Sequence, residues 1–182
     1  MQKVIKIENK KIRKFTTAMI CVVIWIAGIV GTVGFIYKSK LPAAIGVLLT
    51  VQLLAALWDI KSMTIPAKIT VPAMVAGAVI VALTGEFLEG TAAAVLSFIL
   101  MKLLAIISRN QVGGGDIAIM TVTGLYTSIG ALISILFASV TLSGVFSVIF
   151  IISGKADKKT EIPFAPFILT ATVLLTLSGY VN

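Results

Sequence analysis

The 182-residue sequence has no histidine and a single cysteine. Without an imidazole, no serine or cysteine nucleophile can be activated in the usual way, and a histidine-containing metal site is excluded. The one thiol, Cys21, leaves no disulfide within the chain; it lies inside an apolar run and reads as a small buried hydrophobe. Charge is scarce too. Charged residues make up 12% of the chain, where a soluble domain carries about 25%, and only seven residues are acids. No internal repeat and no low-complexity tract stands out.

What fills the chain instead is apolar. Hydrophobic residues account for 59%, the mean hydropathy is +1.13, and the apolar residues come in runs of about 20, the length that crosses a hydrocarbon core. The expected fold class is all-α: a polytopic integral membrane helix bundle of about six or seven transmembrane helices. The length fits one membrane domain over residues 1–182, with a basic arm at 1–16 and the bundle at 17–182. The net charge of +8 does not point to nucleic acid, because six of the fifteen basic residues precede the first apolar run and the rest sit mostly in short loops. A nucleic-acid binder would present a continuous basic face.

The pattern predicts helices over about 17–37, 42–58, 71–83, 88–108 and 162–181, with a charge-free stretch at 117–153 divided near Thr127, Ser128 and Gly130. The run at 17–37 is too long for a signal-peptide core of about 7–15 residues and is read as a retained helix. Pro42 opens the second helix, where a missing N–H costs nothing. The first half of the divided stretch would hold only about 12–14 residues, or about 20 Å, short of a roughly 30 Å core. Between the second and third helices lies the polar, proline-broken segment 59–70.

Seven spans with a cytoplasmic N-terminus put segments 1–16, 59–70, 109–115 and 154–161 inside. These hold six, two, one and three basic residues, twelve in all, against Lys38 and Lys40 outside. That is the positive-inside pattern. It puts Asp59 and Asp116 on the same, cytoplasmic side, on helices far apart in sequence.

Five of the seven acids read as solvated charges: Glu8 in the basic arm, Glu86 and Glu89 in an outside loop, Asp157 and Glu161 beside lysines. Asp59 and Asp116 differ, because each abuts a long apolar helix, where an ionised carboxylate is expensive. Either could instead be structural, Asp59 marking a helix end and Asp116 serving as an N-cap. Asp116, however, follows Gly113, Gly114 and Gly115, and glycines leave room for another backbone to approach. Two adjacent carboxylates keep one proton between them. The ionised one can then take a proton from water while the neutral one polarises an amide carbonyl. Such chemistry needs no cofactor and no metal.

Three segments carry a family resemblance: WDIKSMTIP at 58–66, GGGDIAIM at 113–120 and EIPFAPFIL at 161–169. In this order they resemble the type IV prepilin peptidases, polytopic aspartyl proteases of the Gly-x-Gly-Asp class, over about residues 45–180. The resemblance implies that Asp59 and Asp116 are the catalytic pair. It also implies that Gly113 and Gly115 are the motif glycines, Ile65 and Pro66 the Ile-Pro turn, and Pro163, Phe164 and Pro166 the late motif. Gly114 and Lys61 join these as motif or substrate-positioning candidates.

The implied substrate is a prepilin or pseudopilin: a short basic leader, a glycine at the cut and a hydrophobic helix that stays in the bilayer, cleaved at the cytoplasmic face. Pilus or secretion assembly proteins would be further partners, and nucleic acid would not. Three positions depart from the family pattern: Ala67 for Asn, Ala118 for Lys and Ala165 for Gly. The cysteine-bearing region that accompanies methyltransferase activity in larger members is not seen, which implies a peptidase-only form. Other readings of the same aspartates are a related Gly-x-Gly-Asp protease, a small proton- or cation-coupled transporter subunit, and a catalytically silent assembly protein.

Overall fold

A computed structural model describes residues 43–108, 112–153 and 161–179; the expected helix at 17–37 and the basic arm lie outside the described residues. Within them the chain is all-helical: α1 (Ala43–Ser62), α2 (Ala67–Thr84), α3 (Phe87–Ile107), α4 (Gly114–Tyr126), α5 (Ile129–Ile152) and α6 (Ala165–Leu177). Four of these, α1, α2, α3 and α5, are long and apolar enough to cross a membrane. Their outward faces carry large apolar side chains, such as Leu54, Val75, Ile106 and Phe137, the surface a lipid solvent requires. The protein is a membrane protein.

The short fourth helix is the hub. Its 13 residues match the expected brevity, and it packs against α1, α2, α3, α5 and α6. Every residue from Ile119 to Tyr126 is buried. A helix enclosed by others satisfies its own backbone and shows no flank to lipid, so it has no need of a full bilayer's length.

Close approach of α3 to α4 depends on Gly124. A Cβ there would stand 2.8 Å from the Ala93 carbonyl oxygen and 2.8 Å from Ala94 Cα, both backbone atoms that cannot swing aside. Gly124→Ala is therefore expected to destabilise the bundle by about 1–3 kcal/mol, the usual cost of overpacking. Gly144→Ala on α5, where a Cβ meets nothing within 4 Å, should leave thermal unfolding in detergent unchanged or raise it slightly, since alanine favours helix over glycine. On the other side, the Tyr126 hydroxyl donates to the Ala73 carbonyl at 2.9 Å, tying α4 to α2.

The helix break after α4 falls at Thr127 and Ser128, as the sequence predicts. There the Ser128 hydroxyl caps α5 by accepting from the Ala131 N–H at 3.3 Å. Four boundaries differ from expectation. The first helix of the described set does not stop at Trp58 but runs on through Asp59 to Ser62, and the second begins at Ala67, not Val71. Only 63–66 are non-helical, because Ile60, Lys61 and Lys68 do not oppose helix and only Pro66 interrupts it. The last helix starts at Ala165 rather than Ile162 and ends at Leu177 rather than Val181. Pro163 cannot donate a hydrogen bond, and Pro166 fits the first turn, where none is needed.

Candidate active site

Asp59 lies in the last turn of α1 and is only 5% exposed. Its helix ends just beyond it, where Met63 takes a left-handed conformation with φ 52° and donates its N–H to the Asp59 carbonyl at 2.8 Å. The Ser62 hydroxyl closes the turn through the Trp58 and Thr64 carbonyls, at 2.9 and 3.2 Å. Pro66 then sets an extended step into α2, with φ −74° and ψ 143°. This compact turn delivers Ile65 to the start of α4.

Asp116 is the third residue of α4, half-buried, with Gly113 in the cap position. It is thus in the first turn and not an N-cap. Its carboxylate folds back to accept the Gly113 N–H and lies within the electrostatic field of Asp59. A Cβ at 113 would stand 3.2 Å from Asp116 Oδ2, crowding the carboxylate in that position. Gly115 serves the neighbouring contact: a Cβ there would stand 2.8 Å from Ile65 Cβ and 3.1 Å from the Ile65 nitrogen. Two of the three glycines therefore have steric reasons, one making room for the carboxylate and one for the Ile-Pro turn. Gly114 has none, since a Cβ there would meet nothing within 4 Å.

The third component is the N-terminus of α6. The Ala165 N–H donates to Asp59 Oδ2 at 3.1 Å, and the Phe164 N–H also bonds the Asp59 carboxylate. Free N–H groups and the positive end of the helix macrodipole favour a carboxylate there. Pro163 and Pro166, both buried, flank these donors and fix where the helix begins. No residue type or spacing in the sequence marks these backbone groups. The only available signal was a helix start between two prolines, with nothing to say which carboxylate it would face. The same bond explains why alanine is acceptable at 165, since it works through its N–H, which every residue but proline has.

Thus Asp59, Asp116, Gly113, Gly115, Ile65, Pro66 and the late motif come together at one end of the bundle, where α1 ends and α4 and α6 begin. Lys61, also in the last turn of α1, is exposed. A cation there complements the C-terminal end of the helix. Ala67 opens α2 and is exposed, while Ala118 is half-buried in α4.

A model of the type IV leader peptidase family matches residues 46–148, a span that contains both aspartates and the glycine motif. The chain is 29% identical, over 136 residues, to the prepilin leader peptidase/N-methyltransferase of Bacillus subtilis (strain 168). That match covers 73% of this chain and 54% of the relative, so the chain spans about half the length of the curated relative it matches. No solved structure gives a significant match.

Proposed function

Because the chain belongs to the type IV leader peptidase family, we propose that it is a membrane aspartyl endopeptidase in which Asp59 and Asp116 activate water to remove the short basic leader of prepilin-like proteins. The observation that carries this reading is the convergence of two carboxylates, one on α1 and one on α4, at a single end of the bundle. Two carboxylates within each other's field do not both ionise cheaply, so the pair holds one proton. The ionised member takes a proton from the attacking water as its oxygen bonds to the scissile carbonyl carbon. The protonated member donates a hydrogen bond to the carbonyl oxygen as negative charge develops there. Collapse of the tetrahedral intermediate breaks the C–N bond, and the departing amine takes up the proton drawn from water.

The N–H groups of Ala165 and Phe164 hold the Asp59 carboxylate in a single orientation, so less reorganisation is needed during the reaction. The twelve-to-two distribution of basic residues supports a cytoplasmic active-site face in the cell membrane. There the pair would meet a leader that is basic and a substrate helix that remains in the bilayer. One peptidase domain suffices for this chemistry, with a prepilin or pseudopilin as the membrane partner.

The test is a processing assay with the purified chain in detergent or lipid and a prepilin-like peptide. Cleavage between leader and hydrophobic segment, undiminished by excess EDTA, is the expected result. No cleavage of several such peptides in lipid would overturn the assignment, and inhibition by EDTA would overturn the metal-independent mechanism.

A further inference from the structure

Beneath the carboxylates lies a second polar layer, buried in the apolar interior. The Gln52 side chain, 1% exposed, donates from its one amide nitrogen to two hydroxyls, Thr123 Oγ1 at 3.0 Å and Thr172 Oγ1 at 3.0 Å. The direction of these bonds is fixed by chemistry. Thr123 already gives its proton to the Ile119 carbonyl, and Thr172 gives its proton to the Ile168 carbonyl, each at 2.9 Å. Both hydroxyls therefore have only lone pairs left to offer, and the amide must present its NH₂ to them.

The three members come one each from the helices that build the site above. Gln52 is on α1 with Asp59, Thr123 on α4 with Asp116, and Thr172 on α6 with Ala165. In every case the separation along the chain is seven residues, which is about two helical turns, or about 10 Å. Residues at that spacing share a helix face, so whatever fixes the lower layer fixes the rotational phase of the upper one.

We propose that Gln52, Thr123 and Thr172 form a register clamp that positions the Asp59–Asp116 pair, with Gln52 as its central positioning residue. This rests on the aspartyl-peptidase reading. The first turn of α4 supports it, because Gly113, Gly114 and Gly115 bring no side chains that could set the orientation of Asp116. Beside the Gly113 N–H and the Ile65 contact at Gly115, that orientation depends on what fixes the helix deeper down. The Tyr126 hydroxyl bond to Ala73 and the close approach at Gly124 tie α4 to α2 and α3, and the Gln52 amide adds the polar tie to α1 and, through it, to α6. An amide nitrogen is directional: its two hydrogens lie in one plane about 120° apart, so the two threonines must sit at fixed bearings from α1.

The experiment compares Gln52→Met, which keeps length and removes both donors, with the pairs Thr123→Val/Thr172→Val and Thr123→Ser/Thr172→Ser. A clamp predicts a fall in kcat of about 10- to 100-fold in the Met and Val variants, the scale of a small misplacement of catalytic groups. KM should stay unchanged, the acid and base limbs of the pH–rate profile should move closer as the carboxylates separate, and activity should recover in the Ser pair. Wild-type kcat and pH profile in the Met and Val variants, with only a lower melting temperature, would overturn it.

Should Gln52→Met fail to fold, Thr123→Val and Thr172→Val taken singly read the same quantities, each with one bond removed. A second readout needs no peptidase activity: disulfide formation between cysteines placed at 59 and 116 in a Cys21→Ala background. Gln52→Met should slow that cross-link, and an unchanged rate would overturn the clamp whether or not the chain cleaves prepilins.

Discussion

Asp59→Asn and Asp116→Asn should each lower leader processing by on the order of 10⁴-fold or more, the scale seen when one member of a concerted catalytic unit is removed. Asparagine keeps the shape of aspartate, but it can neither accept the proton from water nor donate one as an acid. The fold should survive both changes. At position 59 the carboxamide oxygen can still accept the Ala165 N–H now held at 3.1 Å, and a buried charge is replaced by a neutral group. Melting temperatures equal to or above that of wild type would therefore accompany the loss of activity. Asp59→Ala is expected to differ in stability, because it strands the Ala165 and Phe164 N–H groups without their acceptor.

The measurement is cleavage of a prepilin-like peptide by each purified variant alongside its thermal unfolding. Processing that persists in either Asn variant would remove that residue from the catalytic pair and send the search to another acid. A transporter using the same carboxylates would instead lose flux in these variants with no processing to lose. A silent assembly protein would tolerate both.

Gly115→Ala should lower kcat by about 10- to 100-fold, although it adds one methyl group far smaller than the substrate. That methyl would stand 2.8 Å from Ile65 Cβ, 3.1 Å from the Ile65 nitrogen and 3.3 Å from Ile65 Cα. None of these is the free end of a flexible side chain, so either the Ile-Pro turn or the start of α4 has to shift. The turn leads directly from the last turn of α1, which carries Asp59, and α4 carries Asp116. A shift of a few tenths of an ångström to an ångström is thus passed into the separation of the two carboxylates, and catalysis is steeply sensitive to such displacements.

Gly114→Ala is the control. Its Cβ would meet nothing within 4 Å, and alanine favours helix over glycine by about 1 kcal/mol. Most of the activity should remain and stability should be equal or higher. Equal losses at 114 and 115, measured as kcat on one peptide, would mean that the glycines act through backbone freedom rather than through the space they leave for Ile65.

Several of these features are legible in the residues themselves. Apolar runs with almost no charge between them dictate a helical membrane bundle, because a backbone in lipid has to satisfy its own hydrogen bonds. The short helix between Asp116 and Thr127 is readable from the charge-free stretch and its one polar break. Asp59 and Asp116 stand out among seven acids because they abut long apolar segments on the same side of the bundle, where a carboxylate needs a reason to be. These are local or compositional properties, and each is set by residues adjacent in the chain.

What the tertiary structure alone decides is which distant groups meet. The Ala165 N–H reaches Asp59 across 106 residues of sequence, and Gln52 reaches Thr172 across 120. No periodicity or spacing in either segment encodes such a partner. The reason α4 can be short, enclosure by five neighbouring helices, is likewise invisible in its 13 residues. The glycine triplet shows the division most clearly. The family resemblance sets Gly113 and Gly115 apart from Gly114 without a reason, and the fold supplies one: Gly113 faces the Asp116 carboxylate, Gly115 faces Ile65, and Gly114 faces open space. Gly113 is the extended cap residue, and Gly114 and Gly115 open the helix, where successive residues point about 100° apart, so only packing determines what each of them meets.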